Sequence, residues 1–213
     1  RDRIYQKEQR GEAPTTSRDL TRVLLGDEIV CVGYARIFTA ILKKLGINNV
    51  KVLINNIGSK ESRQNYEKVL VDYFTKNIDN MCADCKNRLL KNPLRILDCK
   101  VDKETDIMKN APKISDYLIE EDKNYANKVI EALNALGINY EVDEKLVRGL
   151  DYYTSTVFEF VYEDETSPIN GLTLLAGGRY NGLTKELDGP ETDAIGFATG
   201  VERLILVMNE LGI

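Results

Sequence analysis

The hydrophobic pattern of this chain of 213 residues changes to a period of two at Tyr153, and the change limits what the chain can fold into. From Tyr153 onward apolar and polar residues alternate, as in the stretch TSTVFEF, whereas the preceding part repeats its apolar residues at helical spacing. Alternation predicts strands near 154–162, 171–176 and 193–199, followed by a closing helix. The last part of the chain is therefore predicted to be mainly strand and the middle mainly helix.

Before the change, helical spacing predicts a helix over 28–45 that ends at Gly46, and Ser59 is a candidate N-cap for the next helix. The sequence from Ser59 to about residue 119 is lysine-rich, almost free of glycine and interrupted by two prolines, a composition that favours a separate helical insert. A further helix is predicted over 121–136, before a glycine. A strand is predicted at 48–56 and a short strand at 138–142.

Composition excludes several classes of function. A net charge of -5 and a pI near 5.1 argue against a surface coated with basic residues for non-specific nucleic-acid binding, although a local basic groove remains compatible with them. The chain contains no histidine, so a histidine base and histidine metal ligands are excluded. No apolar run approaches the roughly 20 residues that span a bilayer, and the polar start is unlike a signal peptide, so we expect a cytoplasmic protein with no membrane partner.

The four cysteines are expected to be reduced thiols rather than a disulfide framework, because nothing in the sequence indicates secretion. Cys82 and Cys85 have C-x-x-C spacing, and Cys99 follows; the fourth cysteine is Cys31. Zinc needs about four ligands, and no histidine can complete the set. The sequence therefore favours a helical turn with incidental thiols and predicts no metal site.

Two glycine-rich stretches raise the question of a phosphate site. The stretch AGGRYNGL is neither G-x-G-x-x-G nor a Walker loop, but it places Arg179 and Tyr180 beside two glycines. In GFATGVERL a strand leads into a helix, so Arg203 lies near a helix N-terminus, where a cation is unfavourable. Either a carboxylate such as Glu202 or a bound phosphate could compensate this charge, and the residues alone leave both open.

The stretch LVRGLDYYTSTVFEF, residues 146–160, contains one arginine followed by two adjacent tyrosines. Arg148 offers a fixed fork of donors to a carboxylate or a phosphate. Neighbours on a strand point to opposite faces, so we expect Tyr152 and Tyr153 to lie in opposite layers, one packing and the other presenting its hydroxyl to a pocket. The simpler interpretation, a packing tyrosine and a surface arginine, stays open at this point.

These three stretches, in this order and spacing, resemble the histidine-specific signature motifs and motif 3 of histidyl-tRNA synthetases, which are class II aminoacyl-tRNA synthetases. The middle of the chain is similar to the family's insertion domain, and the resemblance covers about 26–213. It implies an α+β fold, with a class II synthetase-like antiparallel sheet flanked by helices and a helical insertion domain. The implied division is a first part of the catalytic core at 1–56, the insertion at 57–119, and the rest of the core at 120–213.

The resemblance also implies a function. The family activates histidine with ATP, accompanied by Mg²⁺, to histidyl-adenylate and transfers it to tRNA(His). Arg148 would be the catalytic arginine at the α-phosphate, where it also meets the histidine carboxylate, and Tyr153 would face the imidazole. The other residues implied for the histidine pocket are Tyr180 and Gly178. The residues implied for ATP are Arg203, Arg10, Glu12 and Gly200, and Gly177, Gly178 and Gly200 would keep the floor open for substrate.

Several features depart from the family pattern. Arg10, Glu12 and Pro14 can be laid on the R-x-E-x-P of motif 2, but Arg22 then falls where the family carries a histidine-binding glutamine. Ser155 stands where the family usually has glycine or another small or polar residue. Motif 1, the segment that reads histidine and the anticodon-binding domain are not in the chain. We therefore expect an incomplete core from a synthetase whose full-length form is a homodimer.

An alternative function stays open in the sequence. A synthetase-like paralogue could bind histidine or regulate another enzyme without charging tRNA. The substitution at Arg22 favours this alternative, whereas the retained Glu202, Arg203 and insertion favour the ligase.

Overall fold

The structure is a computed structural model that describes residues 38, 42–149 and 152–213. Its centre is a five-stranded sheet with the strand order β2-β1-β3-β4-β5. Strand β2 runs parallel to β1, and the other neighbours pair antiparallel. The predicted α+β fold with a mainly antiparallel sheet is confirmed. The strands are β1 (Val50–Asn56), β2 (Tyr140–Val142), β3 (Thr154–Tyr162), β4 (Thr173–Arg179) and β5 (Ile195–Thr199).

Six helices and three short 3₁₀ turns are described around the sheet, and residues 38 and 42–44 are helical as well. The helices are α1 (Lys60–Thr75), α2 (Ala83–Lys91), α3 (Asp106–Lys109), α4 (Glu120–Ala135), α5 (Leu183–Glu186) and α6 (Val201–Leu211), and the 3₁₀ turns are Ile78–Asn80, Pro93–Ile96 and Ile114–Tyr117. Ser59 caps α1 as predicted, because its side chain accepts a hydrogen bond from the Ser62 N–H. Gly46 and Gly137 follow their helices with φ of 81° and 62°, a conformation that glycine adopts without strain.

The two faces of the sheet bury two separate cores. Because side chains alternate along β3, Val157 joins one core and Phe158 joins the other. The first core contains the buried faces of α1 and α2, and the second contains those of α4 and α6. The first core combines residues from 57–118 with Leu146, Val147 and Tyr153, so the helical segment packs directly against the sheet. The domain boundaries stay a prediction.

Strand β4 extends further than the sequence predicted. Its expected range was 171–176, but it continues through Gly177 and Gly178 to Arg179. A Cβ at Gly177 would lie 2.3 Å from the carbonyl oxygen of Gly196 on β5. The glycines are therefore part of the strand, where they allow close pairing, rather than a loop after it.

Ser155 has a left-handed backbone, with a φ of 53°, at an irregularity between Thr154 and Val157 of β3. Its N–H donates to the Gly58 carbonyl and its carbonyl accepts from the Ile57 N–H, both bonds that glycine would keep. We expect Ser155→Gly to raise the free energy of unfolding by about 1 kcal/mol, since a non-glycine residue in this conformation is strained. Urea unfolding measures the change, and equal or lower stability would contradict it.

Each helix in the described ranges is too short or too polar to cross a bilayer.

Candidate functional site

Three tyrosines form an aromatic cluster where β3 begins and β4 ends. The ring centroids of Tyr152 and Tyr153 are 4.7 Å apart, and those of Tyr153 and Tyr180 are 6.0 Å apart. The prediction that the two adjacent tyrosines lie in opposite layers is wrong. Both precede β3, which starts at Thr154, so strand alternation does not apply to them. The structure thus brings together the two tyrosines that the resemblance implied, and adds Tyr152.

The hydroxyl of Tyr152 remains a neutral phenol at neutral pH. Burial raises its pKa, and a hydrogen bond with Tyr153 raises it further, while the charge of Arg148 lowers it only partly. A neutral hydroxyl can both donate and accept a hydrogen bond. Tyr152 therefore adds a neutral polar group to the aromatic faces of the cluster, a combination that suits a planar ring with polar edges.

Arg148 is held from two sides beside this cluster. Its Nη1 donates to Oε1 of Glu159 at 2.5 Å, and its guanidinium lies 5.8 Å from the centroid of the Tyr153 ring. The Nε atom of Arg148 is buried and has no hydrogen-bond partner among the residues that the structure describes. Because a buried donor without a partner is costly, this atom marks a place where an anionic oxygen would be stabilised.

The other oxygen of Glu159 connects to the second candidate arginine. Thr173 donates from its hydroxyl to Oε2 of Glu159 at 3.1 Å, and its carbonyl accepts from Nη1 of Arg203 at 2.7 Å. A continuous chain of contacts thus runs from Arg148 through Glu159 and Thr173 to Arg203. The two candidate phosphate-binding residues, Arg148 and Arg203, therefore lie at opposite ends of one network.

The positive charge of Arg203 is not balanced by the ion pair with Glu202 that the sequence left open, as far as the described residues go. Within the described ranges, Glu202 and the other carboxylates make no ion pair with Arg203, which is exposed at the start of α6. Its stem passes 3.1 Å from where a Cβ of Gly200 would lie, so the glycine leaves room for this side chain. Its phosphate role stays a prediction.

Small residues on β4 and β5 line the sheet face that carries Glu159. Glu159 pairs with Ala176, which pairs with Ala198, and directly paired residues of antiparallel strands share a face. In the next row Gly178 pairs with Gly196. The result is a patch without long side chains beside the Arg148 network.

The sequence led us to expect open space at the glycines of the site, but some of them leave none. A Cβ at Gly178 would lie 2.8 Å from the Tyr153 ring and 2.7 Å from the Thr156 carbonyl, so protein atoms already occupy its surroundings. A Cβ at Gly196 would lie 2.3 Å from the Tyr180 hydroxyl. The expectation of an open floor at Gly178 and at Gly177 is corrected: these glycines let protein groups approach closely. A role of Gly178 in binding histidine stays a prediction.

Arg179, next to the glycines, is placed in a structural network. It is 6% exposed, forms an ion pair with Asp193 at 3.1 Å and donates to the Tyr125 hydroxyl at 3.2 Å. Its neighbour Tyr180, the first residue after β4, packs against the aromatic cluster instead. Arg179 therefore ties β4 to α4 rather than adding a cation to the site.

A cationic cleft of about 280 Å³ lies beside Arg148, between α1 and the end of α2. Three further cations line it: Lys60, Arg63 and Lys91. Arg63 also donates from Nη1 to the Tyr153 carbonyl at 2.6 Å, so α1 holds the backbone that carries the tyrosine cluster. Arg10, Glu12 and Arg22 lie outside the described residues.

Sequence reasoning missed Glu159, Thr173 and Arg63. Glu159 had a detectable signal, because it is the one charged residue within the otherwise apolar end of an alternating strand. Thr173 and Arg63 had none, since each acts through a contact with a residue distant in sequence.

Comparison with known proteins gives consistent matches. A family model described as histidyl-tRNA synthetase matches residues 28–204. The chain is 45% identical over 192 residues to a histidine–tRNA ligase of Lactobacillus delbrueckii subsp. bulgaricus, covering 90% of this chain and 42% of that protein. It is 53% identical over 171 residues to histidine–tRNA ligase 1 of Shouchella clausii, covering 79% of this chain and 39% of that protein. The chain thus spans about two fifths of the length of these curated relatives.

The same similarity appears among solved structures. The crystal structure of apo S. aureus histidyl-tRNA synthetase superposes with a TM-score of 0.66 at 40% sequence identity. The match covers 88% of this chain and 44% of that one.

Proposed function

Because the chain belongs to the histidyl-tRNA synthetase family, we propose that it forms part of the catalytic core of a histidine–tRNA ligase. In the complete protein this core would react histidine with ATP to give histidyl-adenylate and pyrophosphate, and would then transfer the histidyl group to tRNA(His). The observation that supports this most directly is the Arg148–Glu159 pair, which holds a partly exposed cation beside the ring of Tyr153.

Arg148 would act on the first step. A carboxylate oxygen of histidine attacks the α-phosphorus, a new P–O bond forms, and the bond to the leaving pyrophosphate breaks. Negative charge builds on the α-phosphate oxygens, and the partly exposed guanidinium of Arg148 would donate to them while Glu159 keeps its fork in place. The attacking carboxylate is already ionised, so this step needs no histidine base, in keeping with a chain that has none.

The tyrosine cluster would receive the amino acid. The Tyr153 ring lies beside the Arg148 cation and near the ring of Tyr180, and these rings would offer an apolar wall to a flat imidazole. Gly178 would contribute by letting the Tyr153 ring approach the sheet. A site that pairs with both polar edges of a substrate rejects analogues lacking them.

ATP would bind as a substrate, in complex with Mg²⁺. Arg203 would hold its outer phosphates, and the support for this is that its exposed guanidinium bonds only to the Thr173 carbonyl among the described residues. Gly200 would leave room for this side chain, and Arg10 and Glu12 would belong to the motif 2 part of the ATP site. The family relationship further supports a helical insertion at 57–119 and a homodimeric, cytoplasmic parent protein.

The proposal is tested by ATP–pyrophosphate exchange with the complete protein that contains this chain. We expect exchange that depends on histidine and is absent with the other amino acids. A folded, complete protein with no exchange would overturn the proposal and favour the paralogue that does not charge tRNA.

The cationic cleft is the proposed contact for the tRNA end. We expect the double substitution Lys60→Ala and Lys91→Ala to weaken tRNA binding and to reduce the slope of log K against log salt by up to about 1 to 2, because each phosphate contact contributes about 0.9. Exchange without tRNA should stay near the starting level. Lys185→Ala, which removes one exposed lysine on α5 outside the cleft, is the control for loss of a surface charge. An unchanged salt slope in the double variant would contradict the assignment.

A further inference from the structure

Three cysteines and an aspartate converge at the start of α2, away from the tyrosine cluster in sequence. Cys82 immediately precedes the helix, Cys85 lies in its first turn, and Cys99 and Asp102 follow the second 3₁₀ turn. The sulfur atoms and one carboxylate oxygen all lie within 4.8 Å of one another. Sequence reasoning counted three ligands and found no fourth, whereas folding supplies Asp102.

The distances within the cluster are close to those of a tetrahedral zinc site. The sulfurs of Cys82 and Cys99 are 3.6 Å apart, and the Cys99 sulfur is 3.7 Å from Oδ2 of Asp102. Zinc with Zn–S bonds of about 2.3 Å in a tetrahedron separates its sulfurs by about 3.8 Å. Only small movements would bring the side chains of the cluster onto one ion.

The backbone around the cluster orients the ligands. The two arms share one spacing, C-x-x-C at Cys82 and Cys85 and C-x-x-D at Cys99 and Asp102. In the second arm the Asp102 N–H donates to the Cys99 sulfur at 3.4 Å. The Cys82 N–H donates to the Asp102 carboxylate at 3.1 Å. Such contacts fix ligand orientation and stabilise thiolates once they form.

The burial of Asp102 gives an independent reason to expect a cation. Its residue is 5% exposed, and no lysine or arginine in the described part of the chain forms an ion pair with it. Buried carboxylates are normally paired with a cation or bound to a metal, because removing a charge from water is costly. The half-buried Cys82 leaves a path from solvent to the cluster.

We propose that Cys82, Cys85, Cys99 and Asp102 bind one Zn²⁺ as a structural site. Three S–H bonds break, three Zn–S bonds and one Zn–O bond form, three protons pass to solvent, and zinc keeps its charge. Soft thiolates select zinc over magnesium or calcium, and four protein ligands leave no open position for catalysis.

The site would stiffen one wall of the cationic cleft. It joins the start of α2 to the segment after the second 3₁₀ turn, and the residues between these anchors include Lys91, Asn92, Pro93 and Leu94 of the cleft lining. Arg95, also between them, lies 3.9 Å from where a Cβ of Gly149 would be, next to Arg148. The proposed zinc site rests on the geometry of its four ligands and does not depend on the proposed ligase activity.

Metal analysis of the tag-free chain tests the proposal directly. The chain has no histidine, so no imidazole can hold stray metal. We expect about one zinc per chain after dialysis, as four ligands for one ion require. Replacement with Co²⁺ should give the visible bands of tetrahedral cobalt and a near-ultraviolet band from thiolate to cobalt. A metal-free protein with no cobalt spectrum, or a Cys82–Cys99 disulfide shown by the loss of two titratable thiols, would overturn it.

Variants identify the ligands. Asp102→Ala and Cys85→Ser should lose the bound zinc, whereas Asp102→Cys should retain it by supplying a fourth thiolate. Cys31→Ser, the same change at the one cysteine outside the proposed ligand set, is the matched control and should keep one zinc. Retention in Asp102→Ala, or loss in Cys31→Ser, would contradict the assigned ligand set. The cobalt spectrum of the unaltered chain decides the question even if a variant fails to fold.

Discussion

We expect Arg148→Ala to lower histidine-dependent ATP–pyrophosphate exchange of the complete protein by about 10²- to 10³-fold. Removing one preorganised donor from a developing oxyanion typically has this effect. The substitution removes the cation and also leaves the carboxylate of Glu159, whose side chain is 18% exposed, without its partner. Steady-state exchange rates at saturating ATP and histidine measure the loss.

Two further variants separate catalysis from folding at this position. Arg148→Lys keeps the charge but not the planar fork, so its exchange rate should fall between those of Arg148→Ala and the unaltered protein. Lys185→Ala removes an exposed cation that pairs only with Glu191 in the described structure, and exchange should stay near the starting rate. If Arg148→Ala remained folded and exchanged at the unaltered rate, the phosphate role of Arg148 would be wrong.

The second large effect is expected from Gly178→Ala. The added methyl would lie 2.8 Å from the Tyr153 ring and 2.7 Å from the backbone carbonyl of Thr156. The carbonyl belongs to the paired strand, so the ring must move. We expect the KM for histidine to rise by about tenfold or more, and stability to fall by about 1–3 kcal/mol, as for other overpacked sites.

Gly182→Ala is the matched control for this substitution. Gly182 has a φ of -83°, and no heavy atom lies within 4 Å of the place where its Cβ would be. The same chemical change should therefore leave both the KM and the stability nearly unaltered. An unchanged KM for histidine in a folded Gly178→Ala protein would show that Tyr153 does not contact the amino acid.

The elements with strong local signals were predictable from the sequence. Strand β3 lies at the predicted 154–162, because strict alternation of apolar residues has no other regular structure that buries one face. Ser59 and Gly137 mark helix ends through their own backbone and side-chain chemistry. The motifs around Arg148, Tyr180 and Arg203 led to the family, which the comparisons with known proteins confirm.

Positions that depend on pairing were not predictable. The sequence ended β4 early, because glycines usually break strands, and only the approach of Gly196 within 2.3 Å of a Cβ position explains Gly177 inside the strand. It also placed Tyr152 and Tyr153 on opposite sides by applying strand alternation to them, although both precede β3, which begins at Thr154. Both errors come from applying a local rule where contacts with other strands decide.

The sequence by itself determined the family, the alternating strands, the helix caps and the absence of any histidine base. The tertiary structure alone decided which groups meet. Glu159 joins Arg148 across 11 positions, and Asp102 joins Cys82 across 20. Local propensity acts over a few residues along the chain, whereas ion pairs and ligand sets depend on distances in space that only the packed sheet and helices establish.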